Sequence, residues 1–373
     1  MATFSDRVEQ VSISGIREVF EAAGDDAINL GLGQPDFPTP AHAREAAIEA
    51  IETGKTDAYT SNKGTDSLRE AIAEKYDHDF GLAVDPEDLI ATAGGSEALH
   101  LALEAHVDLG QEVIIPDPGF VSYDALTRIA GGVPKPVTLR ADLTLDPAAV
   151  EDAITDDTAA FVVNSPANPT GAVQSEADMR EFARIADDHD VLCLSDEVYE
   201  HIVFEGAHHS PLEFATTDNV VVVSACSKTY SMTGWRLGWV HGSTRRIERM
   251  LRVHQYVQAC ASAPAQYAAE AAISGPQDPV EEMVAAFEDR RDLVVDGLED
   301  AGLDVPRPQG AFYVMPKVPE GWCEEVIDRG VVVVPGEAFG ENGRGYARLS
   351  YATSTEELYD ALEIMVDATA ALQ

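Results

Sequence analysis

Basic residues are scarce in this sequence, and lysine is the scarcest of them. Against 66 aspartates and glutamates stand 25 lysines and arginines, a formal net charge of -41. Such a surface repels phosphate polyanions and anionic headgroups, so neither nucleic acid nor an acidic membrane is an expected partner. Long apolar runs are missing too. Val220–Val223 and Val331–Val334 have the length of a strand and fall far short of a bilayer span. Met1 to Ser12 alternates polar and apolar residues and offers no apolar core of signal-peptide length, so no membrane route is expected. The four cysteines, Cys193, Cys226, Cys260 and Cys323, form no C-x-x-C pair. That argues against a disulfide framework or a zinc site and for reduced thiols in a cytoplasm.

The acid excess is spread over the whole chain rather than gathered in a tail. In dilute buffer, with a Debye length of about 30 Å, these charges repel one another, whereas near 1 M salt that length shrinks to about 3 Å. The expectation is a halophilic protein of a salt-rich cytoplasm.

A chain of 373 residues is long for one core and suggests two or three domains. No fixed-period repeat occurs. From about residue 85 to 242, short β-branched runs (Glu112–Ile115, Ala160–Asn164, Val191–Asp196, Val220–Ser224, Gly238–His241) alternate with helix-like stretches. This pattern predicts an α/β fold with a mainly parallel sheet flanked by helices, and ligands bound beyond the strands' carboxyl ends. Gly275-Pro-Gln-Asp-Pro279 marks a boundary. A charged helix over Val280–Ala301 follows, then strands near Gly310–Met315, Val331–Val334 and Tyr346–Tyr351, a smaller α+β domain. The expected division is an N-terminal arm (1–44) packing with the small domain, a large domain (45–276) and the small domain (277–373).

With six lysines in all (Lys55, Lys63, Lys75, Lys135, Lys228, Lys317), one set in a polar loop directly after an apolar strand stands out. That one is Lys228, in Ser224-Ala-Cys-Ser-Lys-Thr-Tyr-Ser-Met-Thr-Gly-Trp-Arg-Leu-Gly238. A phosphate-binding P-loop needs glycine at the positions of Ser227 and Val222 and is excluded. Gly31-Leu-Gly33 runs into Gln34-Pro35 rather than a helix start, which excludes a dinucleotide fingerprint. No histidine spacing marks a metal site: His201, His208 and His209 are irregular, and Glu197-Val-Tyr-Glu-His201 lacks the first histidine of a metalloprotease helix. A lysine forms a Schiff base only when deprotonated, through desolvation or a neighbouring cation.

The lysine loop resembles the cofactor-lysine segment of the class I/II aminotransferases, pyridoxal-phosphate enzymes of fold type I. The similarity runs in order along nearly the whole chain: Gly31–Phe37, Tyr59–Gly64, Gly94–Leu99, Pro116–Tyr123, Asn164–Gly171, Ser195–Tyr199, the lysine loop, Pro308–Tyr313 and Tyr346–Tyr351. The resemblance implies that Lys228 carries pyridoxal 5'-phosphate as a Schiff base. Asp196 is then the partner of the pyridine nitrogen, where a pyridinium acts as the electron sink. Asn168 and Tyr199 are implied to bond the ring's phenolic oxygen, and Phe120 to stack on the ring. Gly95, Ser96 and Glu97, at a helix start, are implied to hold the phosphate, with Arg236 supplying charge and Tyr59 reaching in from the partner of a homodimer. Ala225 stands where relatives usually carry serine or glycine, and Ser224 is the candidate for that contact. Arg348 is the implied bidentate clamp on the substrate carboxylate, with Asn168 and Gly33 beside it.

The implied reaction moves an amino group from an L-amino acid, aspartate or an aromatic one favoured, to a 2-oxo acid such as 2-oxoglutarate. Ser14-Gly-Ile-Arg17 and the overall pattern look most like archaeal and bacterial enzymes of that preference. Arg17, Lys63 and Arg128 are the candidates for reading a distal carboxylate. The same scaffold also carries C–S β-lyases and, more remotely, non-catalytic cofactor-sensing modules fused to DNA-binding domains. The absence of a winged-helix segment or basic patch speaks against the last.

Overall fold

Four consecutive valines, Val220 to Val223, occupy the middle of the fold because both faces of their strand are covered. Val220 and Val222 enter one apolar cluster, Val221 and Val223 another, the two-residue alternation of a strand. The computed structural model describes residues 4–12 and 27–372. The Ser14–Arg17 opening, and Arg17 with it, lies outside the described residues.

Seven strands build the central sheet: β1 (Leu89–Thr92), β2 (Glu112–Asp117), β3 (Val133–Thr138), β4 (Thr158–Asn164), β5 (Leu192–Asp196), β6 (Val220–Ala225) and β7 (Gly238–His241). They lie in the order β1-β7-β6-β5-β4-β2-β3. Pairings among β2 to β6 are parallel, and only β7 runs against its neighbours, β1 and β6. Helices Ala41–Glu52, Asp66–Phe80 and Ala263–Ser274 contribute to one cluster; Gly95–His106 and Thr244–Val257 contribute to the other. The mainly parallel, helix-flanked sheet expected from the sequence is therefore present. β3 is hidden in the sequence by Pro134 and Pro136. It forms nonetheless because it is an edge strand paired only with β2, where proline's missing N–H is tolerated.

A further apolar cluster gathers Leu30, Met283, Phe287, Phe312 and Leu349. Around it lie helices Asp278–Asp300, Trp322–Asp328 and Thr355–Leu372 and an antiparallel sheet ordered Val334–Pro335, Ala347–Ser350, Tyr313–Val314. The strand expected over Val331–Val334 is split. Val331–Val332 pair with Ile28–Asn29, whereas Val334–Pro335 pair with Ala347–Arg348, so the chain serves two sheets and passes from one to the other at Val333. The strand expected over Gly310–Met315 shortens to Tyr313–Val314, because Gly310 and Ala311 instead join Val203 and the Ile202 carbonyl. Among the described residues no helix is long and apolar enough to cross a membrane.

These connections bring distant residues to one place. Asn164, Asp196 and Ala225 end the neighbouring strands β4, β5 and β6. The Gly31–Gly33 loop is tied to the strand carrying Arg348, since Ser350 N–H donates to the Leu30 carbonyl at 2.7 Å.

Candidate active site

Directly after β6 the chain turns into a single helical turn, Cys226–Thr229, which carries Lys228. Its Nζ donates to the Gly33 carbonyl at 2.7 Å and lies 5.7 and 5.9 Å from the ring centres of Phe312 and Tyr199. Burial first, then the charges of Arg348 and Arg236, lower its pKa to about 8, with Asp196 pulling the other way. Below that value the amine is protonated and cannot attack an aldehyde; above it the nucleophile is present. In the cofactor-free chain, the rate of covalent capture of a pyridoxal aldehyde, followed by stopped-flow absorbance, should rise with pH and level off above about 8. An ordinary lysine would go on rising about two pH units further.

Asp196, the last residue of β5, is 3% exposed. Its carboxylate accepts the Tyr123 hydroxyl at 2.7 Å and the Val198 N–H at 3.4 Å. Burial outweighs both bonds and pushes its pKa up to about 6. The Asn164 amide holds the Asp196 carbonyl at 2.8 Å, while its side-chain oxygen accepts the Asn168 N–H at 2.8 Å. One side chain thus ties the ends of two strands to the loop that bears Asn168. The Tyr199 and Tyr313 hydroxyls bond each other at 2.9 Å.

At the start of the Gly95–His106 helix, Gly94 is the capping residue at φ 82, a backbone shape suited to glycine. Gly95 and Ser96 are therefore the first two helical residues, whose N–H groups have no acceptor within the helix. The Arg236 guanidinium is held beside them by the carbonyls of Thr233, at 3.0 Å, and Ala93, at 3.4 Å. Arg236 itself adopts φ 53, a strained value for a side-chain-bearing residue and one often met at functional sites. A Cβ on Gly238 would lie 2.8 Å from Gly94 C, Gly95 N and Ser224 O, so this close approach of three segments requires glycine.

Arg348 is 2% exposed. Its guanidinium donates to the Asn168 side-chain oxygen at 3.2 Å and to the Gly31 carbonyl, and it lies 4.7 Å from the Tyr313 ring centre. A Cβ on Gly33 would collide with the Tyr313 hydroxyl, so only glycine lets that loop pass.

These groups line one cavity of about 300 Å³. Of the residues expected from the sequence, Gly33, Gly95, Ser96, Phe120 and Asn168 line it, as do Asp196, Tyr199, Lys228, Arg236 and Arg348. Three do not. Tyr59 is 90% exposed. Ser224 is buried with its hydroxyl unpartnered behind the lining residue Ala225. Glu97 turns its carboxylate back to the Ala93 N–H and to His254 Nδ1 at 2.8 Å. It stands three residues past the cap, where a glutamate reaches back over its own helix start. Among the lining residues missed as site residues are Tyr123 and Tyr313. Both lie within the matched motifs, but no spacing announces that Tyr123 would reach Asp196. Lys63 is bonded to Glu87, at 2.6 Å to its carbonyl, and Arg128 is paired twice with Asp124; neither lines the cavity.

An amine whose pKa is lowered to about 8, a buried carboxylate, a helix start with a guanidinium, and a second guanidinium can together bind a phosphorylated aldehyde covalently and a carboxylate-bearing substrate beside it. The chain belongs to the class I and II aminotransferases, whose sequence model matches residues 25–364. Among its relatives is a probable aspartate aminotransferase of Methanocaldococcus jannaschii, 44% identical over 97% of this chain and 98% of that one. Another is aromatic-amino-acid aminotransferase 2 of Thermococcus litoralis, 38% identical over 97% of each chain. The aspartate aminotransferase of Thermus thermophilus, solved with maleate, superposes with a TM-score of 0.93 at 38% identity, covering 99% of this chain and 100% of that one. The protein is an aminotransferase.

Proposed function

We propose that this aminotransferase holds pyridoxal 5'-phosphate on Lys228 and moves the amino group of an L-amino acid, aspartate or an aromatic one, to a 2-oxo acid such as 2-oxoglutarate. The observation that carries the reading is the pairing of a depressed lysine (about 8) with a buried carboxylate in one cavity. The cavity's donor set fits the cofactor. Gly95 and Ser96 offer backbone N–H groups and Arg236 a charge for the phosphate, and Asp196 suits a protonated ring nitrogen. Asn168 and Tyr199 suit the phenolic oxygen, and Phe120 offers a ring face. Bound there, the cofactor supplies an electron-withdrawing ring that takes up the electron pair left when the substrate's Cα–H bond breaks.

This chain's own residues do the rest. Arg348 and Asn168 orient the substrate carboxylate and so fix which Cα bond faces the ring. Lys228 Nζ is the base that would accept the proton from the substrate's Cα and hold it for return. Asp196 keeps a proton on the ring nitrogen, and Tyr199, held by Tyr313, keeps the phenolic oxygen hydrogen-bonded. The first oxo acid leaves before the second binds, which gives ping-pong kinetics.

The choice of donor follows the two relatives named for aspartate and aromatic substrates, and the Thermus enzyme's maleate is a dicarboxylate. A panel of Asp, Ala, Tyr, Phe and Glu, each with 2-oxoglutarate, tests it. Turnover led by Asp, Tyr or Phe is expected. Pyruvate and ammonia released from cystathionine without any oxo acid would instead mark a C–S β-lyase.

Two further parts belong to this reading. The chain is proposed to divide into an arm (1–44), a large domain (45–276) and a small domain (277–373), and to act as a cytoplasmic homodimer. The solvent-exposed Tyr59, together with exposed Ile48 and Ile51, supports a partner surface from which Tyr59 reaches the other cavity. The net charge of -41 supports a salt-rich cytoplasm. The melting temperature is expected to rise by roughly 5–10 °C between dilute buffer and molar KCl as screening lengths shrink. A fold and activity complete in dilute buffer and falling in KCl would contradict it.

A further inference from the structure

One of the six lysines is buried outside the cavity. Lys75, on the helix Asp66–Phe80, is 5% exposed. Its ammonium bonds Glu200 Oε1 at 2.6 Å, lies 3.7 Å from Asp79, and rests 4.8 and 5.1 Å from the ring centres of Phe80 and Tyr76. Glu200 belongs to the turn after β5, and that turn has two sides. Asp196 and Tyr199 line the cavity; Glu197 and Glu200 do not. Glu197, fully buried, accepts the hydroxyls of Ser195 and Ser210 at 2.7 and 2.6 Å and faces His208 Nε2 at 3.1 Å. Backbone bonds from Glu197 N–H to the Val223 carbonyl and from Glu200 N–H to the Glu197 carbonyl complete the frame.

Glu197, Glu200 and His208 bring ligand-type atoms within 4.8 Å of one another, an arrangement that calls for a cation. Among the described residues, Lys75 is the only lysine or arginine paired with either glutamate. Burial alone pushes the Glu200 carboxyl up, but the Lys75 charge and the neighbouring His201 and His208 outweigh it and hold it below its ordinary range. His201 in turn faces Asp79 at 3.2 Å. Cys226, two residues before Lys228, feels both charges of the pair. A buried ion pair is a poor source of net stability, because two apolar side chains of similar volume fill the same space without the desolvation cost. What such a pair does supply is a fixed position for both partners.

We propose that Lys75 is a positioning residue: through Glu200 it anchors the rear of the Asp196–Tyr199 turn and so fixes where these two side chains meet the cofactor. The proposal rests on the cofactor reading above. It makes Lys75 part of the reaction's machinery without any contact to substrate.

The test uses the full chain loaded with pyridoxal phosphate and the double variant Lys75→Met/Glu200→Leu, which removes both charges while keeping the volume. Measured are the melting temperature, the cofactor dissociation constant, and the pH midpoint of the visible absorbance band of the lysine-bound cofactor. The double variant is expected to melt close to the parent. Its band midpoint should move by about one pH unit and its dissociation constant rise about tenfold, because the two groups facing the cofactor are no longer held in place. A double variant matching the parent in all three would overturn the proposal, leaving the pair a packing feature. One that fails to fold would overturn it too, since the pair would then serve the fold. Failure of the underlying reading looks different: the parent shows no visible band with the cofactor, or Lys228→Ala keeps it.

Discussion

Lys228→Ala is expected to lower kcat by at least about 10⁴-fold while leaving the chain folded. Among the described residues Lys228 is the one amine lining the cavity, and the cavity's other cations, Arg236 and Arg348, do not give up a proton in the working range. None of these neighbours can therefore replace it in the proposed role of base for the Cα proton. The fold should survive because the ammonium makes a single hydrogen bond, to a partly exposed carbonyl. Its depressed pKa also shows that the site holds that charge at a cost. Steady-state turnover with the best donor of the panel, alongside thermal melting, measures both halves. Activity near the parent's would end the proposed mechanism.

Asp196→Asn should lower kcat by about 10³-fold or more, because asparagine has the shape of aspartate but cannot sustain positive charge on a ring nitrogen. The same substitution has an opposite effect on the cofactor-free chain. Asp196 has a folded pKa of about 6 against an ordinary 3.8. The stability tied to its proton is complete below about 3.8 and is lost as pH rises through about 6. Asparagine, always neutral, escapes that loss. The cofactor-free variant should therefore melt higher than the cofactor-free parent above pH 6, by an amount worth roughly 2–3 kcal/mol, and the gap should close below pH 4. Calorimetry at pH 4 and pH 8 checks the sign. An Asp196→Asn chain less stable than the parent at pH 8 would mean that the carboxylate is a structural anchor.

Much of the site was legible in the sequence because its residues sit where strands stop. Asp196 and Lys228 follow apolar runs, and Asn168 lies in the loop after Asn164, so each could be placed at the carboxyl edge of a parallel sheet. Arg348 lies within Tyr346–Tyr351, a run expected to form a strand. What escaped depends on contacts between distant segments. The Tyr123 hydroxyl meets a carboxylate 73 positions away, and that of Tyr313 meets Tyr199 across 114; neither contact has a local pattern. Glu97 lay beside the helix start in sequence, but its carboxylate turned back over the cap and toward His254. Lys75 gave no signal at all. A lysine in a charged helix reads as a solvated one, and only the fold brings Glu200 to it. In the sheet, the two prolines of β3 concealed a strand that edge position permits.

Peptide mapping after borohydride reduction of the cofactor-loaded chain tests the central claim most directly. Reduction locks the cofactor onto whichever amine holds it, and with six lysines in the sequence the position can be read without ambiguity. The account predicts a pyridoxyl group on the peptide containing Lys228 and on no other. Labelling of Lys75 or any of the remaining four, or no label at all, would contradict it.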